Sequence, residues 1–386
     1  MNFGPGKLPD VGTTIFTVIS RRAEELGAVN LGQGFPDYPI DPRLTDLVTE
    51  AMRAGHNQYA PMAGVPALRQ AIAGEFARRL HFAVDPDSEV TITLGATEAI
   101  FSAITALVGP GDEVLVFDPA YDSYDPAVRV AGARCVHVPL LPPEFRYDWE
   151  RVHAAVTPRT RLIIVNSPHN PSCTVMGEGD LVELARLAEE RNLIVLSDEV
   201  YEHIVFPGSR HCSVLSHPAL RGRSLAVYSF GKAMHATGLR VGYCVAPQAL
   251  TTELRKVHQF NTFTIATAFQ HAIAAYLDEK PGIFEELPRF FTHKRGLLTQ
   301  GLAGSAFRVL PAEGTYFTLV DYSACDLLAG LDDMAAAKRL LEEGGVAAIP
   351  LAPFYREPVQ HSLLRLCFAK RDDTLTAGAQ RLAALR

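Results

Sequence analysis

The 386-residue chain has no long hydrophobic run. Its longest nearly uninterrupted apolar stretch, Ala99 to Val108, is about half as long as the ~20 residues that a membrane-spanning helix needs. The chain also has no excess of positive charge, since 36 Lys and Arg residues against 43 Asp and Glu residues give a formal net charge of -7. We therefore expect neither a membrane protein nor a nucleic-acid-binding protein.

Paired cysteines and targeting signals are absent as well. The six cysteines lie tens of residues apart, without the C-x-x-C pair that is typical of zinc and redox sites. The N-terminal sequence MNFGPGKLPD contains no basic stretch followed by an apolar core. The sequence thus predicts a cytoplasmic protein with reduced, mostly buried thiols and no bound metal.

What is present is a hydrophobic content of 48% and a regular alternation of short β-rich runs with helical stretches. The β-rich runs are Val90–Leu94, Glu113–Phe117, Arg161–Val165 and Leu193–Leu196. Continuous apolar strands that alternate with helices predict an α/β fold, in which a mostly parallel sheet is covered on both faces. Ligands of such a sheet bind at the C-terminal ends of its strands.

From about Pro281 the pattern changes to that of a smaller α+β domain. The expected elements are a helix over 282–302, hairpin strands over 307–310 and 314–320, a helix over 332–343, and strands over 346–349 and 363–368. We therefore predict two domains. The larger covers 41–281, and the smaller combines an N-terminal arm, 1–40, with 282–386.

Two polar segments follow predicted strands in the first half of the chain. The sequence GATEA at 95–99 joins a strand to a helix through small residues, so its backbone N–H groups could hold a phosphate. The alternative is a tight turn in which Thr97 caps the helix. The sequence NSPHNPS at 166–172 offers two asparagine amides between prolines, a pattern that turn chemistry alone also explains.

A carboxylate and a lysine follow the next two predicted strands. Burying Asp198 without a cationic partner would cost several kcal/mol, so a bound cation is one explanation, and a strand-end aspartate that caps the next helix is the other. Lys232 could be a Schiff-base nucleophile with a lowered pKa, or simply a solvated lysine. The pattern Ser229-x-x-Lys232 also occurs in penicillin-recognising serine enzymes, but the partner motifs S-D-N and K-T-G are missing. A phosphate cradle, a carboxylate, a phenol (Tyr201) and a lysine at one sheet edge indicate a pyridoxal phosphate site.

With these motifs and TGLRVGY at 237–243, the chain resembles the class I/II aminotransferases of fold type I over nearly its whole length. The segments LGQGFPD at 31–37 and NQYAP at 57–61 are most similar to the methionine and kynurenine/glutamine transaminase branch, and KLP at 7–9 and GVAAIP at 345–350 resemble bacterial methionine aminotransferases in particular. The resemblance implies a mostly parallel seven-stranded sheet in a three-layer large domain. It also implies a homodimer with shared active sites.

The resemblance further implies the cofactor and its ligands. Pyridoxal 5'-phosphate would be held as an internal aldimine on Lys232, with Asp198 at the pyridine nitrogen and Tyr201 and Asn170 at the ring oxygen. Tyr121 would stack on the ring. The phosphate would be held by Gly95, Ala96, Thr97, Ser229 and Arg240, and by Tyr59 of a second subunit.

For the substrate, the resemblance implies that Arg365 binds the α-carboxylate with Asn170 and Gly34, although an arginine on a strand could also extend to solvent. The side-chain pocket could have an apolar and aromatic lining, although each of these residues could also be ordinary core: Ile15, Phe16, Tyr38, Tyr59, Tyr121 and Phe263. The predicted reaction moves the amino group of methionine or of a large neutral or aromatic amino acid to a 2-oxo acid. The alternative is a kynurenine/glutamine transaminase with cysteine-conjugate C–S β-lyase activity. The chain has Leu239 where the family often has Trp, and Cys173 where it often has Gly.

Overall fold

The computed structural model describes residue 4 and residues 6–386. Residues 1–3 and 5, with which the expected N-terminal arm begins, lie outside the described residues. Within the described range, none of the helices combines the length and the hydropathy needed to cross a lipid bilayer.

The chain alternates strands and helices through its first two thirds. The strands are β1 (Val29–Asn30), β2 (Val90–Leu94), β3 (Glu113–Asp118), β4 (Arg134–Pro139), β5 (Thr160–Asn166), β6 (Ile194–Asp198), β7 (Ser224–Ser229), β8 (Val241–Val245), β9 (Arg308–Val309), β10 (Phe317–Asp321), β11 (Val346–Ala347), β12 (Ile349–Pro350) and β13 (Leu363–Cys367).

The helices connect these strands and cover them. They are α1 (Ile15–Leu26), α2 (Pro42–Arg53), α3 (Pro66–Leu80), α4 (Gly95–Leu107), α5 (Tyr124–Val130), α6 (Trp149–Ala155), α7 (Glu178–Glu190), α8 (Pro218–Arg221), α9 (Phe230–Ala233), α10 (Gln248–Asn261), α11 (Thr267–Glu279), α12 (Leu287–Gly301), α13 (Asp333–Glu342) and α14 (Asp372–Ala383). Short 3-10 turns lie at Val214–Ser216, Thr237–Leu239, Ile283–Glu286 and Ala352–Phe354.

The main sheet has seven strands in the order β2-β8-β7-β6-β5-β3-β4. Only β8 runs antiparallel to its neighbours, so the sheet is mostly parallel, as predicted. Strands β3, β5 and β6 are almost entirely buried, which explains their continuous apolar sequences. The predicted α/β fold with a mostly parallel seven-stranded sheet is confirmed.

A second, antiparallel sheet has the strand order β12-β13-β10-β9. Near it, β1 pairs in parallel with β11, so that Val29 lies opposite Val346. Strand β13 is central in the second sheet and is fully buried, with Arg365 opposite Leu319 and Ile349. The fold thereby places a buried arginine on a different sheet from the polar segments at the ends of β5, β6 and β7.

Three predicted elements differ in extent from the observed ones. The helix expected over 282–302 begins with a 3-10 turn, and α12 starts only at Leu287 with a proline in its first turn. The strand expected over 314–320 starts at Phe317, because Thr315 has a positive φ of 69°. The run 346–349 divides into β11 and β12, which belong to different sheets.

The six cysteines are free thiols, as expected. Cys173, Cys244, Cys325 and Cys367 are buried, and Cys135 and Cys212 are half-buried.

Candidate active site

A cavity of about 310 Å³ opens where β5, β6 and β7 of the main sheet end and where β13 of the second sheet approaches them. This is the edge at which parallel sheets bind ligands. The lining residues are Phe16, Gln33, Gly34, Phe35, Ala96, Thr97, Ile100, Tyr121, Asp122, Asn166, Asn170, Asp198, Val200, Tyr201, Ser229, Lys232, Arg240, Phe317 and Arg365.

Lys232 lies in α9, directly after β7, and its amine enters the cavity. Nζ is 5.7 Å from the ring centre of Tyr201 and 5.6 Å from that of Tyr316. Among the described residues, Lys232 forms no salt bridge, and burial lowers its pKa to about 8. Lys232 is therefore not a solvated surface lysine. A far larger fraction of its amine is therefore neutral and nucleophilic near physiological pH than in an ordinary lysine.

Asp198 ends β6 and is only 5% exposed. The Tyr124 hydroxyl donates to Oδ2 over 2.6 Å, and the backbone N–H of Val200 donates to Oδ1 over 3.4 Å. Burial raises the pKa of Asp198 to about 6. The chain after Asp198 forms turns, so the alternative that this side chain caps a helix is wrong. In the described part of the chain no cation pairs with it, which leaves a buried carboxylate suited to a cationic ligand.

The small-residue turn after β2 forms an anion cradle. Helix α4 begins at Gly95, which has a φ of 69°, and a Cβ there would lie 2.7 Å from Arg240 Nη2. The first turn of α4 and the Arg240 guanidinium thus face the same small space, beside Ser229. The position before the helix is Leu94, whose N–H donates to Glu98 Oε2 over 3.2 Å. The alternative that Thr97 caps this helix is therefore wrong.

Arg365 lies in β13 and lines the cavity. It is 1% exposed, so the alternative of an arginine extended to solvent is wrong. Nη1 donates to Asn170 Oδ1 over 2.6 Å, Nη2 donates to the Gly32 carbonyl over 3.2 Å, and the guanidinium lies 4.0 Å from the centre of the Phe317 ring. Nε is buried without a hydrogen-bond partner among the described residues. A partly satisfied, buried guanidinium is a strong site for a carboxylate.

The loop around Gly34 is held beside Arg365 by the second sheet. The Tyr316 hydroxyl donates to the Gly34 carbonyl over 2.7 Å. A Cβ at Gly34 would lie 3.0 Å from the Phe317 ring, so this position leaves little room for a side chain. The backbone of Asn170 is held in place, since its N–H donates to Asn166 Oδ1 over 2.9 Å.

The structure brings most of the predicted site residues together, but not all of them. Within this single chain Tyr59 is 84% exposed and packs against Phe263 rather than lining the cavity. Ile15 starts α1 and lines neighbouring surface grooves, whereas the next residue, Phe16, lines the cavity. Gly95 lies behind the cavity wall, where its missing side chain makes room for Arg240.

Some residues in or beside the cavity were not predicted from the sequence. Tyr124 contacts Asp198, Phe317 lies against Arg365, and Asp122 lines the cavity with its pKa raised by burial. Tyr124 and Asp122 belong to the same PAYDSY segment as Tyr121, so their closeness in sequence was the available signal. Phe317 offered no such signal, because a phenylalanine in an apolar strand is usually core.

These features fit pyridoxal phosphate on physical grounds. Lys232 offers a nucleophilic amine, Asp198 an unpaired buried carboxylate for a protonated ring nitrogen, and the turn at Gly95 a cradle that a side chain would fill. Fold and site together define a pyridoxal-phosphate enzyme of fold type I.

The comparisons with known proteins agree. The family model described as "Aminotransferase class I and II" matches residues 27–382, and the chain belongs to this family. It is therefore an aminotransferase that uses pyridoxal 5'-phosphate.

Its relatives are similar over nearly their full lengths. The chain is 50% identical to the methionine aminotransferase of Escherichia coli strain K12, over 98% of this chain and 97% of the relative. It is 32% identical to mouse kynurenine–oxoglutarate transaminase 1, over 95% and 93% of the two chains. The crystal structure of YbdL from Escherichia coli, for which a methionine aminotransferase function was identified, matches with a TM-score of 0.96 and 49% identity, over 99% of both chains.

Proposed function

We propose that this aminotransferase takes the amino group from methionine and other large neutral or aromatic amino acids and passes it to a 2-oxo acid. The observation that carries the proposal is the set of apolar and aromatic side chains that line the cavity with Arg365. They include Phe16, Phe35, Ile100 and Tyr121, which favour an apolar or aromatic substrate. The similarity to the Escherichia coli methionine aminotransferase supports the same substrate class.

The basic residues that line the cavity support this choice. They are Lys232, Arg240 and Arg365, which we assign to the cofactor linkage, the phosphate and the substrate α-carboxylate. None of the three is left to pair with a second carboxylate on the substrate side chain. Substrates such as aspartate should therefore bind poorly, because their distal charge would be buried without a partner.

Arg365, Lys232 and Asp198 have separate roles in the proposed reaction. Pyridoxal phosphate, when bound, supplies an electron sink for the electron pair that remains when the substrate loses its α-proton. Arg365 binds the substrate carboxylate through two parallel hydrogen bonds and thereby orients the Cα–H bond. Lys232 Nζ accepts the α-proton, since its pKa, lowered to about 8, leaves a substantial part of the amine neutral and able to act as a base. Asp198 keeps the ring nitrogen protonated by opposite charge in a buried setting.

The test is a titration of the purified holoenzyme with amino acids while its visible spectrum is recorded. We expect the yellow band of the lysine-linked cofactor to bleach with methionine and phenylalanine at low concentration, and with aspartate only at far higher concentration. Lys232→Ala should lack that band. An aspartate response as strong as the methionine response would contradict the proposed specificity, and a yellow, borohydride-reducible linkage in Lys232→Ala would contradict the role of Lys232.

The kynurenine transaminase relatives keep one alternative open, a transaminase that also cleaves C–S bonds of cysteine conjugates. The aromatic cavity wall would accept an aryl leaving group. Release of pyruvate and ammonia from a cysteine S-conjugate without any 2-oxo acid would support this activity. Formation of the corresponding oxo acid only in the presence of an acceptor would exclude it.

We also propose a homodimer in which Tyr59 completes the partner's phosphate site. Tyr59 is 84% exposed and Phe260 is 90% exposed, and Leu94 beside the phosphate cradle is 44% exposed. Large apolar side chains at such exposure favour a covering protein surface. A dimer would cover them and would bring a phenol to the Arg240 side of the cavity.

The dimer proposal can be tested with mixed dimers of Lys232→Ala and Tyr59→Ala chains that carry different tags. If Tyr59 serves the partner, one of the two sites in the mixed dimer is intact, so activity should recover to about half that of the wild type. If Tyr59 serves its own chain, neither site is intact, and the mixed dimer stays as weak as its parents.

We propose a cytoplasmic location. Six free thiols, two of them half-buried, fit a reducing compartment. Fractionation of the source cells, followed by assay of methionine-dependent activity in the soluble fraction, tests this location.

A further inference from the structure

A second group of chemically active side chains lies at the outer edge of the main sheet, apart from the aminotransferase cavity. Cys135 and His137 are two residues apart on edge strand β4, so they project from the same face of the sheet. Asp125, in the first turn of α5, faces them. One ligand atom from each of the three side chains lies within 4.8 Å of the other two.

We propose that Asp125, Cys135 and His137 form a zinc site. A thiolate, an imidazole and a carboxylate are the three ligand types that zinc binds in proteins. Zinc bonds of about 2.0–2.3 Å in a tetrahedral arrangement place ligand atoms roughly 3.3–3.6 Å apart. The separation of 3.6 Å between His137 Nε2 and Asp125 Oδ1 matches that spacing.

The histidine is oriented as a metal ligand would be. His137 Nδ1 lies 2.8 Å from Oδ1 of Asp118, a buried carboxylate at the end of β3. The other Asp118 oxygen, Oδ2, accepts the backbone N–H of Arg356 over 2.7 Å and is thereby fixed. This arrangement turns Nε2 toward Asp125, and a carboxylate behind a zinc-binding histidine is the usual means of setting its orientation.

The nearby arginine leaves one carboxylate oxygen of Asp125 available. Arg129 Nη1 donates to Asp125 Oδ2 over 3.2 Å, whereas Oδ1 is the oxygen that faces His137. Arg129 is itself neutralised by Asp10. The surface cavity beside these side chains is also lined by Arg134 and Arg159, which both pair with Glu113, and by Arg356.

The three ligands are also accessible. Asp125, Cys135 and His137 line a surface cavity of about 620 Å³, and the side chains of His137 and Asp125 are 16% and 27% exposed. Three protein ligands leave the fourth tetrahedral position to a water molecule from that cavity. The site would tie β4 to α5, the helix whose Tyr124 contacts Asp198 in the active site.

The decisive experiment is a zinc titration of the reduced, metal-free holoenzyme against a chromophoric chelator. We expect one zinc ion per chain. Cys135→Ser and His137→Gln should each weaken binding by more than about 100-fold, beyond the effect of losing an outer hydrogen-bond partner. Cys212→Ser is the matched control, because Cys212 is the other half-buried cysteine, and its zinc affinity should equal that of the wild type.

Either of two results would overturn the proposal: no saturable zinc binding by the wild type, or equal affinity in Cys135→Ser and wild type. If the cofactor alone held the zinc, Cys135→Ser and the wild type would bind zinc with equal affinity, because both contain the same cofactor. A second measurement uses only the wild type, so that its result does not depend on whether the variants fold. Saturating zinc should slow alkylation of Cys135 by iodoacetamide at least tenfold and leave Cys212 unchanged, and equal rates at Cys135 with and without zinc would likewise overturn the proposal.

Discussion

The Tyr124 hydroxyl donates a hydrogen bond of 2.6 Å to Oδ2 of Asp198, and both side chains are buried. Although burial raises the pKa of Asp198 to about 6, this hydrogen bond acts in the opposite direction and stabilises the ionised carboxylate. As the pH falls through that pKa, Asp198 gains a proton and loses the charge that attracts a protonated ring nitrogen. We therefore expect Tyr124 to be a positioning residue whose hydrogen bond keeps Asp198 ionised at lower pH.

The first prediction concerns Tyr124→Phe. Loss of a hydrogen bond to a charged group costs about 1.5–3 kcal/mol, which should move the acid limb of the pH profile of kcat/KM upward by about one to two pH units. Tyr322→Phe is the control, since it removes a buried hydroxyl that donates to the Leu331 carbonyl, away from the cavity. An unchanged acid limb in Tyr124→Phe would show that Asp198 does not set it.

This contact also marks the limit of what the sequence could reveal. Strands β3, β5 and β6 could be predicted to within one or two residues at most ends, because they are buried on both faces and therefore continuously apolar. Edge strand β4 could not, because Arg134–Pro139 is largely half-exposed and mixes polar with apolar residues. The closeness of Tyr124 to Asp198 depends on how α5 packs, which no local pattern encodes.

Some residues of the site could likewise be predicted from local sequence, and others could not. The positions of Asp198 and Lys232 follow from strand ends, because parallel strands finish at one sheet edge. Arg365 comes from a different sheet, and only the family resemblance connected it with them. Ile15 and Phe16 were both expected in the pocket, but of these two neighbours at the start of α1 only Phe16 lines the cavity.

The second prediction concerns the reactivity of Lys232 in the cofactor-free chain. Burial lowers its pKa to about 8, so its neutral fraction should rise about tenfold per pH unit below that value and level off above it. Lys280 gives the contrast, because its hydrogen bond to Asp41 raises its pKa. Reductive methylation between about pH 6 and about pH 10, resolved by mass spectrometry, measures both rates. A Lys232 rate that still climbs like that of Lys280 at the upper end would contradict the lowered pKa.

The third prediction concerns the backbone of the phosphate cradle. A Cβ at Gly242 would lie 2.6 Å from the Gly95 carbonyl carbon and 2.7 Å from the Ala96 nitrogen, so Gly242→Ala must push this turn outward. Overpacking of about 1–3 kcal/mol should weaken pyridoxal phosphate binding by about tenfold or more in equilibrium dialysis. Gly238→Ala is the matched control, because nothing lies within 4 Å of a Cβ there. Equal affinities for the two variants would mean that the turn does not contact the cofactor.

The last prediction separates charge from geometry at Arg365. Arg365→Lys keeps the positive charge but loses the planar pair of donors, and it leaves Asn170 Oδ1 or the Gly32 carbonyl without a partner. We expect kcat/KM for methionine to fall by about 10- to 100-fold, which is about 1.4–2.8 kcal/mol. The control substrate is 3-(methylthio)propylamine, which is methionine without its α-carboxylate. It should react equally slowly with the wild type and with Arg365→Lys, because it has no carboxylate for the guanidinium to bind. Arg295→Lys alters a guanidinium stacked 4.0 Å from the Phe206 ring centre and should change both rates less than about threefold. If Arg365→Lys slows the amine as much as methionine, Arg365 supports the cavity wall rather than the substrate carboxylate.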